Sequence, residues 1–461
     1  MKKNLSIYTI AAAALFAMSC NKLVDIPSHP IDQISESTVF SDSADIISAV
    51  AGVYNNFKAN ASSGTIGATQ VTIYTGLAAD ELKYSYSSTY VNNAYLADDG
   101  TVSGLWSSAY TNLYQMNACI AGISATKAIS DSLKRALVAE VKFDRAFYYF
   151  QMVNLWGGVP LVTVTDYNVT ATQPRVSVDE VYKLIQTDLA EARSVLQPKY
   201  PSIAGTRYRP NLYTAMALSA KVFLYRQQWD SAALMVNQIL ASGLYSLAST
   251  PTTVFYQTSN ESIWALPGSN VNTSSTNFQT GEGYILLPSS IYSAPAYQVN
   301  PILVNAFEQN DLRKATWITQ ATLYGTTYNY PTKYKNRLYD AANREVYVMF
   351  RLADMYLVLA EAQAHLGAYS DAITNLNIVR TRAGLGGYTG SNDDLLAAIY
   401  HERQVEMAFE WGNRWYDLKR TGTIDAVLGA EKTTWKKEAA LFPIPVGQIQ
   451  LNPNLTQNDG Y

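Results

Sequence analysis

The sequence predicts a mainly α protein: an irregular scaffold of helical hairpins carrying a loop-rich subdomain with short strands. Three observations predict it. Apolar residues recur at helical spacing over long stretches in both the first half and the last quarter of the chain. Two helix pairs align at one constant offset, which places Ala220 on Ala360, Trp229 on Tyr369 and Ala232 on Ala372. Between these pairs, residues 242–344 show no helical period longer than a few turns, apart from a short helix around Val304 to Phe307. That stretch holds six prolines and ten tyrosines, and it is too long for a structureless loop inside a compact domain.

The elements follow in order. Lys2 and Lys3 precede an apolar run, Leu5 to Met18, of signal-peptide length and too short to span a bilayer. The run ends Phe16-Ala17-Met18-Ser19-Cys20, which resembles the bacterial lipoprotein processing box. That likeness implies removal of residues 1–19 and a lipid on Cys20; cleavage without lipid is the alternative, and it leaves the cysteine unexplained. Residues 20–40 read as an extended, Pro-containing leader. Asp42 to Phe57 is a helix with Ile46, Val50, Val53 and Phe57 on one face. From the Ser60s to Gly100 the chain is rich in Ser, Tyr and Asn and reads as irregular. Helices are expected at Leu105–Ile123 and at Asp131–Trp156, the latter stopped by Gly157-Gly158, with a β-like stretch at Val159–Val164. Ser177 and Glu180 form a capping box for Val178–Leu196, and Pro210 opens a helix to Gln227. Trp229–Ala241 follows. Within the middle region Ser262–Leu266 reads as a strand. Helices return at Val346–Leu366, Ser370–Arg382, Asp393–Phe409 and Trp415–Arg420, before a Pro-containing ordered tail, Leu441–Tyr461. The resulting division is 41–241 with 345–461 as scaffold and 242–344 as a ligand-binding insertion.

In each aligned pair a small residue sits where helices cross, a turn follows, then an aromatic, then alanine three residues on. This is the grammar of tetratricopeptide (TPR) hairpins, in which small residues admit a close helix and the aromatic fills the turn. Val138–Leu155 with Val181–Leu196 is a candidate third hairpin. Generic helical packing is the alternative.

Composition narrows the function. With 34 basic and 37 acidic residues in 461, the chain lacks the concentrated positive charge that nucleic-acid binding requires. Only 15% of residues are charged, whereas 34 are tyrosine. Aromatic rings beside neutral polar groups suit neutral polyols such as sugars; Tyr-rich packing of a secreted protein explains the same numbers. Cys119, in an apolar helix, reads as a buried inert thiol. The three histidines stand apart from any catalytic or zinc-binding grouping. Nor is there a phosphate loop, HExxH or GxSxG motif. Adjacent acidic pairs, Asp80-Glu81, Asp98-Asp99 and Asp393-Asp394, are weak candidates for a glycosidase, since neighbouring side chains rarely converge on one bond. Asp98-Asp99-Gly100 reads as a turn or as part of a calcium site; no other cofactor is expected.

Taken together the motifs resemble the SusD-like (RagB/SusD) nutrient-uptake lipoproteins of the Bacteroidota outer membrane. The residues that carry the likeness run through the chain. They are Leu23-Val24-Asp25-Ile26-Pro27 after Cys20, Trp106…Tyr110…Asn117, Arg145-Ala146-Phe147-Tyr148-Tyr149-Phe150 and Trp156-Gly157-Gly158-Val159-Pro160-Leu161. The C-terminal third adds Arg351-Leu352-Ala353-Asp354-Met355-Tyr356-Leu357 with Ala360-Glu361-Ala362, Glu402-Arg403 with Glu406, Arg414-Trp415 with Asp417, and Asn452-Pro453 leading to Gly460-Tyr461. Trp411 departs from the family pattern, which has a small residue there. The resemblance implies the SusD-like fold and a non-catalytic protein on the cell surface. It implies capture of glycan, or in some members peptide, and delivery to a SusC-like TonB-dependent transporter. A TPR scaffold binding only protein is the competing reading.

The charged residues of these motifs, Arg145, Arg351, Glu361, Glu402, Arg403, Arg414 and Asp417, lie in apolar helices and are expected to pair. The glycan site is expected where irregular segments gather. Its candidate residues are Asp80, Tyr84, Tyr86 and Tyr90 in the first segment and Tyr284, Tyr292 and Tyr297 in the second, with Tyr324, Tyr328 and Tyr330 as a third cluster. A pyranose lies flat on such a ring, while carboxylates and amides such as Asp80, Asn92 and Asn93, and Asn300 at the second segment, take its hydroxyls. Packing of loops onto the scaffold is the competing role for each ring.

Overall fold

The structure, a computed structural model, describes residues 36–57, 69–86, 88–202, 206–268, 280–338 and 340–461. Residues 1–19, Cys20 and the leader to residue 35 lie outside the described residues; the end of the leader, read as extended, forms a short helix at Glu36–Val39.

The principal helices are α1 (Ser43–Phe57), α2 (Thr69–Ala78), α3 (Gly100–Ala125), α4 (Asp131–Trp156), α5 (Val178–Val195), α6 (Leu212–Tyr225), α7 (Trp229–Ala241), α8 (Leu352–His365), α9 (Tyr369–Arg382), α10 (Leu395–Glu406), α11 (Asn413–Arg420) and α12 (Ile424–Glu431). Local chemistry sets their ends. Asp99 accepts hydrogen bonds from the Thr101 and Val102 amides and starts α3; the Ser177–Glu180 capping box starts α5. Pro210 does not open α6. Asn211 does, accepting from the Thr214 amide at 2.9 Å.

Three antiparallel hairpins, α4–α5, α6–α7 and α8–α9, stack side by side, with α5 against α6 and α7 against α8. Ala220, Ala232, Ala360 and Ala372 are fully buried at the crossings. Trp229 stacks on His365 with ring centroids 3.9 Å apart. The repeat extends to the backbone. Gln227 (φ 56°) and Gly367 (φ 77°), which align at the offset of the helix pairs, are both left-handed. In each turn the next amide returns to the helix: Gln228 N to Phe223 O at 2.8 Å, and Ala368 N to Gln363 O at 2.9 Å.

Among the described residues six short strands make three antiparallel pairs. They are β1 (Leu82–Tyr84), β2 (Ser262–Pro267), β3 (Tyr297–Val299), β4 (Ile318–Leu323), β5 (Thr326–Pro331) and β6 (Val346–Arg351). β1 pairs with β3, β2 with β6 and β4 with β5.

The structure corrects several expectations. Val346–Leu366 is a strand followed by a helix: the fully buried run Val346 to Arg351 is β-branched and aromatic, and period alone cannot tell it from a buried helix. The stretch read as irregular before Gly100 contains α2, nine of whose ten residues are buried, so no amphipathic stripe marks it. Val159–Val164 joins none of the strand pairs; Val159 O accepts the Val176 amide at 3.2 Å, and side chains hold the rest, the Val162 amide donating to the Tyr149 hydroxyl at 2.8 Å. The expected helix to Phe409 stops at Glu406, because Phe409, Trp411 and Gly412 turn left-handed. Trp411, the departure from the family pattern, is a packing residue: its Nε1 donates to Val348 O and its ring meets Phe147 and Tyr347.

One aromatic-rich core runs through α1–α7, β2, β6 and the C-terminal segment, and a smaller one fills the α8–α9–α10 group. Buried ion pairs hold the seams. Arg351 bonds Glu261 (3.0 Å), Glu406 (2.5 Å) and Glu410 (2.8 Å); Arg313 bonds Glu402 (2.6 Å) and Glu406 (2.8 Å); Arg403 bonds Asp354 (3.0 Å) and Asp417 (2.9 Å). Arg145 pairs with Asp188 at 2.8 Å and Glu361 with Arg420 at 2.5 Å. Arg414 makes no ion pair among the described residues and lies in the field of Glu431 and Glu81, its guanidinium pKa lowered by burial. Cys119 is buried in α3, and burial pushes its thiol up to about 11.

Candidate functional site

The site is built from a two-strand seam. After α2 the chain turns through Asp80, whose φ of 55° is left-handed, and the Glu81 amide closes the turn on Gly76 O at 2.9 Å. β1 then pairs antiparallel with β3 in the register Leu82↔Val299, Lys83↔Gln298, Tyr84↔Tyr297. Side chains two apart share a face. Leu82 and Val299 are buried, so Tyr84 and Tyr297 emerge together where that face reaches the surface. The seam continues outward: the Ser85 amide donates to Ala296 O, and its hydroxyl to Pro295 O, both at 2.9 Å.

Three candidate rings meet here. Tyr84 and Tyr297 are tilted by 33° with centroids 4.9 Å apart, and Tyr86 stands edge-on to Tyr84 at 5.4 Å. Tyr86 is 71% exposed. Tyr74 of α2 and Tyr90 lie close behind, 4.4 Å apart. The tertiary fold joins Tyr84 and Tyr297, from distant parts of the chain, into one aromatic wall. Fixed rings in this wall lose little freedom on meeting a ligand.

Two candidates are corrected. Tyr90 is 4% exposed; its ring packs on Tyr95 and Phe442 and its hydroxyl bonds Asp99 at 3.1 Å, so it supports the wall and presents no face. Burial and the Asp99 carboxylate raise its pKa. Asp80 is 5% exposed. Its Oδ1 accepts from Asn300 Nδ2 and pairs with the Lys432 ammonium, both at 3.2 Å, which fastens the β1 turn to the β3 exit and to the end of α12. Burial raises the Asp80 carboxyl, and Lys432 opposes that. Asn93 is likewise structural, donating to Ala78 O and to the Tyr95 hydroxyl.

The remaining candidates occupy the insertion. Tyr292 is exposed on the loop that leads into β3. Tyr284 is partly buried, with the Arg337 guanidinium over its ring at 4.1 Å. Tyr324 is exposed at the tip of the β4–β5 hairpin; Tyr328 and Tyr330 sit on β5, which runs against β3. Sequence reading missed Tyr74, because nothing marked α2 as a helix.

At least one member of each acidic pair has a structural partner. Asp99 caps α3, Asp394 accepts from Ser391 Oγ at 2.7 Å, and Glu81 accepts the Phe409 amide at 3.3 Å. Burial raises Glu81 to about 7. Among the described residues no group of three or more His, Cys, Asp or Glu is placed to hold a metal ion.

Comparison with known proteins follows the same lines. Residues 303–461 match the model of the SusD family, and residues 28–224 match a SusD-like model described as starch-binding, associating with the outer membrane. The chain is 26% identical to SusD-like protein P25 of Formosa agariphila over 99% of this chain and 98% of that protein. It is 24% identical to a SusD-like protein of Bacteroides ovatus over 91% and 82%. Among solved structures, a SusD-like protein of Bacteroides fragilis superposes with a TM-score of 0.78 at 21% identity, covering 94% of this chain and all of that one. A laminarin-binding SusD-like protein does so with a TM-score of 0.76 at 23% identity, covering 91% and 100%. At these identities the structural matches show a shared fold.

Proposed function

The chain belongs to the SusD/RagB family, and on that premise we propose that it is a cell-surface lipoprotein that captures neutral oligo- or polysaccharide and hands it to a SusC-like, TonB-dependent transporter of the outer membrane. The observation that carries the glycan reading is the wall of Tyr84, Tyr86 and Tyr297. Aromatic faces are partly negative and sugar C–H groups partly positive, so a pyranose buries its apolar face on such rings while its hydroxyls stay outward. Tyr292 is exposed on the loop entering β3 and is a further candidate ring. The laminarin-binding neighbour supports glycan as the ligand class.

Capture rather than catalysis fits Asp80, Glu81 and Asp99, which are engaged in an ion pair, a backbone hydrogen bond and a helix cap. Cys20 tethers the protein through its lipid, and the body acts as a lid on the transporter. Ligand held between lid and barrel favours the closed state, because it gains contacts there that the open state lacks.

Affinity gels containing laminarin, starch or other neutral glycans test the reading. Retardation in at least one glycan is expected. Tyr84→Ala, Tyr86→Ala and Tyr297→Ala are each expected to weaken it about tenfold, near 1.4 kcal/mol, and Tyr90→Phe to leave it unchanged. Unretarded migration across the panel defeats glycan capture, and hydrolysis of any panel member by the pure protein defeats the non-catalytic reading.

A further inference from the structure

A second concave aromatic surface lies away from the β1–β3 seam. A cavity of about 340 Å³ opens between the first half of α3, the extended segment 160–164, the short helix Tyr167–Thr170 and the C-terminal helix Val446–Leu451. Its volume falls within the range of small-ligand sites. Four rings line it. Trp106 and Tyr110 form the floor, with centroids 5.0 Å apart; Tyr114, 55% exposed, and Tyr167, 77% exposed, stand at the rim. Three carboxamides, Gln173, Gln448 and Asn452, complete the wall, and none of the lining residues is charged.

The walls are fixed before any ligand arrives. The Tyr110 hydroxyl donates to Pro160 O at 3.0 Å, and Asn117 Nδ2 donates to Val162 O at 2.9 Å. Asn452 Nδ2 donates to Gln173 O at 2.8 Å and Asn454 Nδ2 to Thr172 O at 2.7 Å, clipping the tail to the opposite wall. The Val446 amide bonds Ala97 O at 2.8 Å, anchoring the third side. One polar group in the wall is unspent: the buried Gln173 Oε1 has no hydrogen-bond partner among the described residues.

We propose that this cleft is a second saccharide-binding site, taking one or two rings of a neutral glycan. Rings supply apolar faces and carboxamides supply donors and acceptors for hydroxyls, while the absence of charge in the lining disfavours anionic ligands. A second site on one chain raises the retention of a polysaccharide, because the second binding event is intramolecular. The inference rests on the glycan reading for its ligand class but on different residues.

The test uses the full mature chain with laminarihexaose and maltoheptaose as probes, by calorimetry, and laminarin and starch in affinity gels. The Tyr84→Ala/Tyr86→Ala/Tyr297→Ala variant is expected to keep measurable binding of one probe. Adding Tyr114→Ala and Tyr167→Ala, both exposed and outside the core, is expected to lower that binding at least tenfold. If the triple variant binds nothing while the Tyr114→Ala/Tyr167→Ala protein binds as the parent does, the second site is overturned and the first stands. If the parent binds neither probe nor either polysaccharide, both are overturned. If the rim variant keeps glycan binding and instead loses co-isolation with the transporter, the cleft is a protein contact and the proposal fails.

Discussion

Gln227 and Gly367, in the two aligned turns, meet one backbone requirement with different chemistry. Both turns need a left-handed residue to end a helix and begin its partner. Gly367 adopts that conformation without steric cost; Gln227 carries a Cβ into it. A Cβ at Gly367 would meet nothing within 4 Å, so Gly367→Ala tests backbone strain alone. It is expected to cost about 1 kcal/mol, and Gln227→Gly to gain about 0.5 kcal/mol, as shifts of the denaturant midpoint at constant slope. The periodic match of Ala220, Trp229 and Ala232 to their counterparts was legible in sequence, whereas the strain at Gln227 was not, because glutamine carries no turn signal. Burial escaped in the same way at Tyr90 and Asp80. A tyrosine among serines looks the same whether its ring faces solvent or, as at Tyr90, packs on Phe442 from the far end of the chain.

Among the elements, α2 explains both what was missed and how the insertion is held. Surrounded on all sides, it shows no polar face for sequence analysis to detect. It also meets the insertion directly. Gly281 is glycine of necessity, since a Cβ there would lie 1.9 Å from Thr69 Oγ1. Next to it Glu282 is buried and accepts from the Tyr347 hydroxyl at 2.8 Å and from Thr69 and Thr72 at 3.2 Å. Burial raises Glu282 to about 7 despite these donors. An acid whose folded pKa lies above its unfolded value binds more protons when folded. Its contribution is therefore favourable below about pH 4.5 and is lost as pH rises toward 7. Glu282→Gln removes this titration. The variant is expected to lose less stability than the parent between pH 5 and 7.5, by on the order of 1–3 kcal/mol, measured by denaturant unfolding at each pH.

Across the molecule, the insertion is not an independent unit. β2 belongs to it in sequence but pairs with β6, which runs directly into α8. Trp264 of β2 is fully buried against Phe57, Phe143, Phe147 and Phe350, rings from α1, α4 and β6, and its Nε1 donates to Tyr208 O. The Arg351 network likewise draws carboxylates from residue 261 and from α10 and the turn after it. A calorimetric scan is accordingly expected to show the insertion and the α1–α7 scaffold melting in one transition. Trp264→Ala is expected to lower that transition by about 3–5 kcal/mol of stability; separate transitions would contradict the shared core.

The helical class, the hairpin repeat, most helix positions and the family are written in the order of residues, because helical period, caps and ordered motifs are local signals that survive without knowledge of neighbours. For the proposed β1–β3 surface, residue order also narrows the candidates to rings in the irregular segments. Folding then selects which of those rings face out, sets Tyr84 beside Tyr297, turns Asp80 and Tyr90 to the interior, and closes a cleft between α3 and the C-terminal tail. Each of those outcomes depends on contacts between residues far apart in the chain, and a side chain's exposure is a property of what packs against it, which residue type alone does not encode.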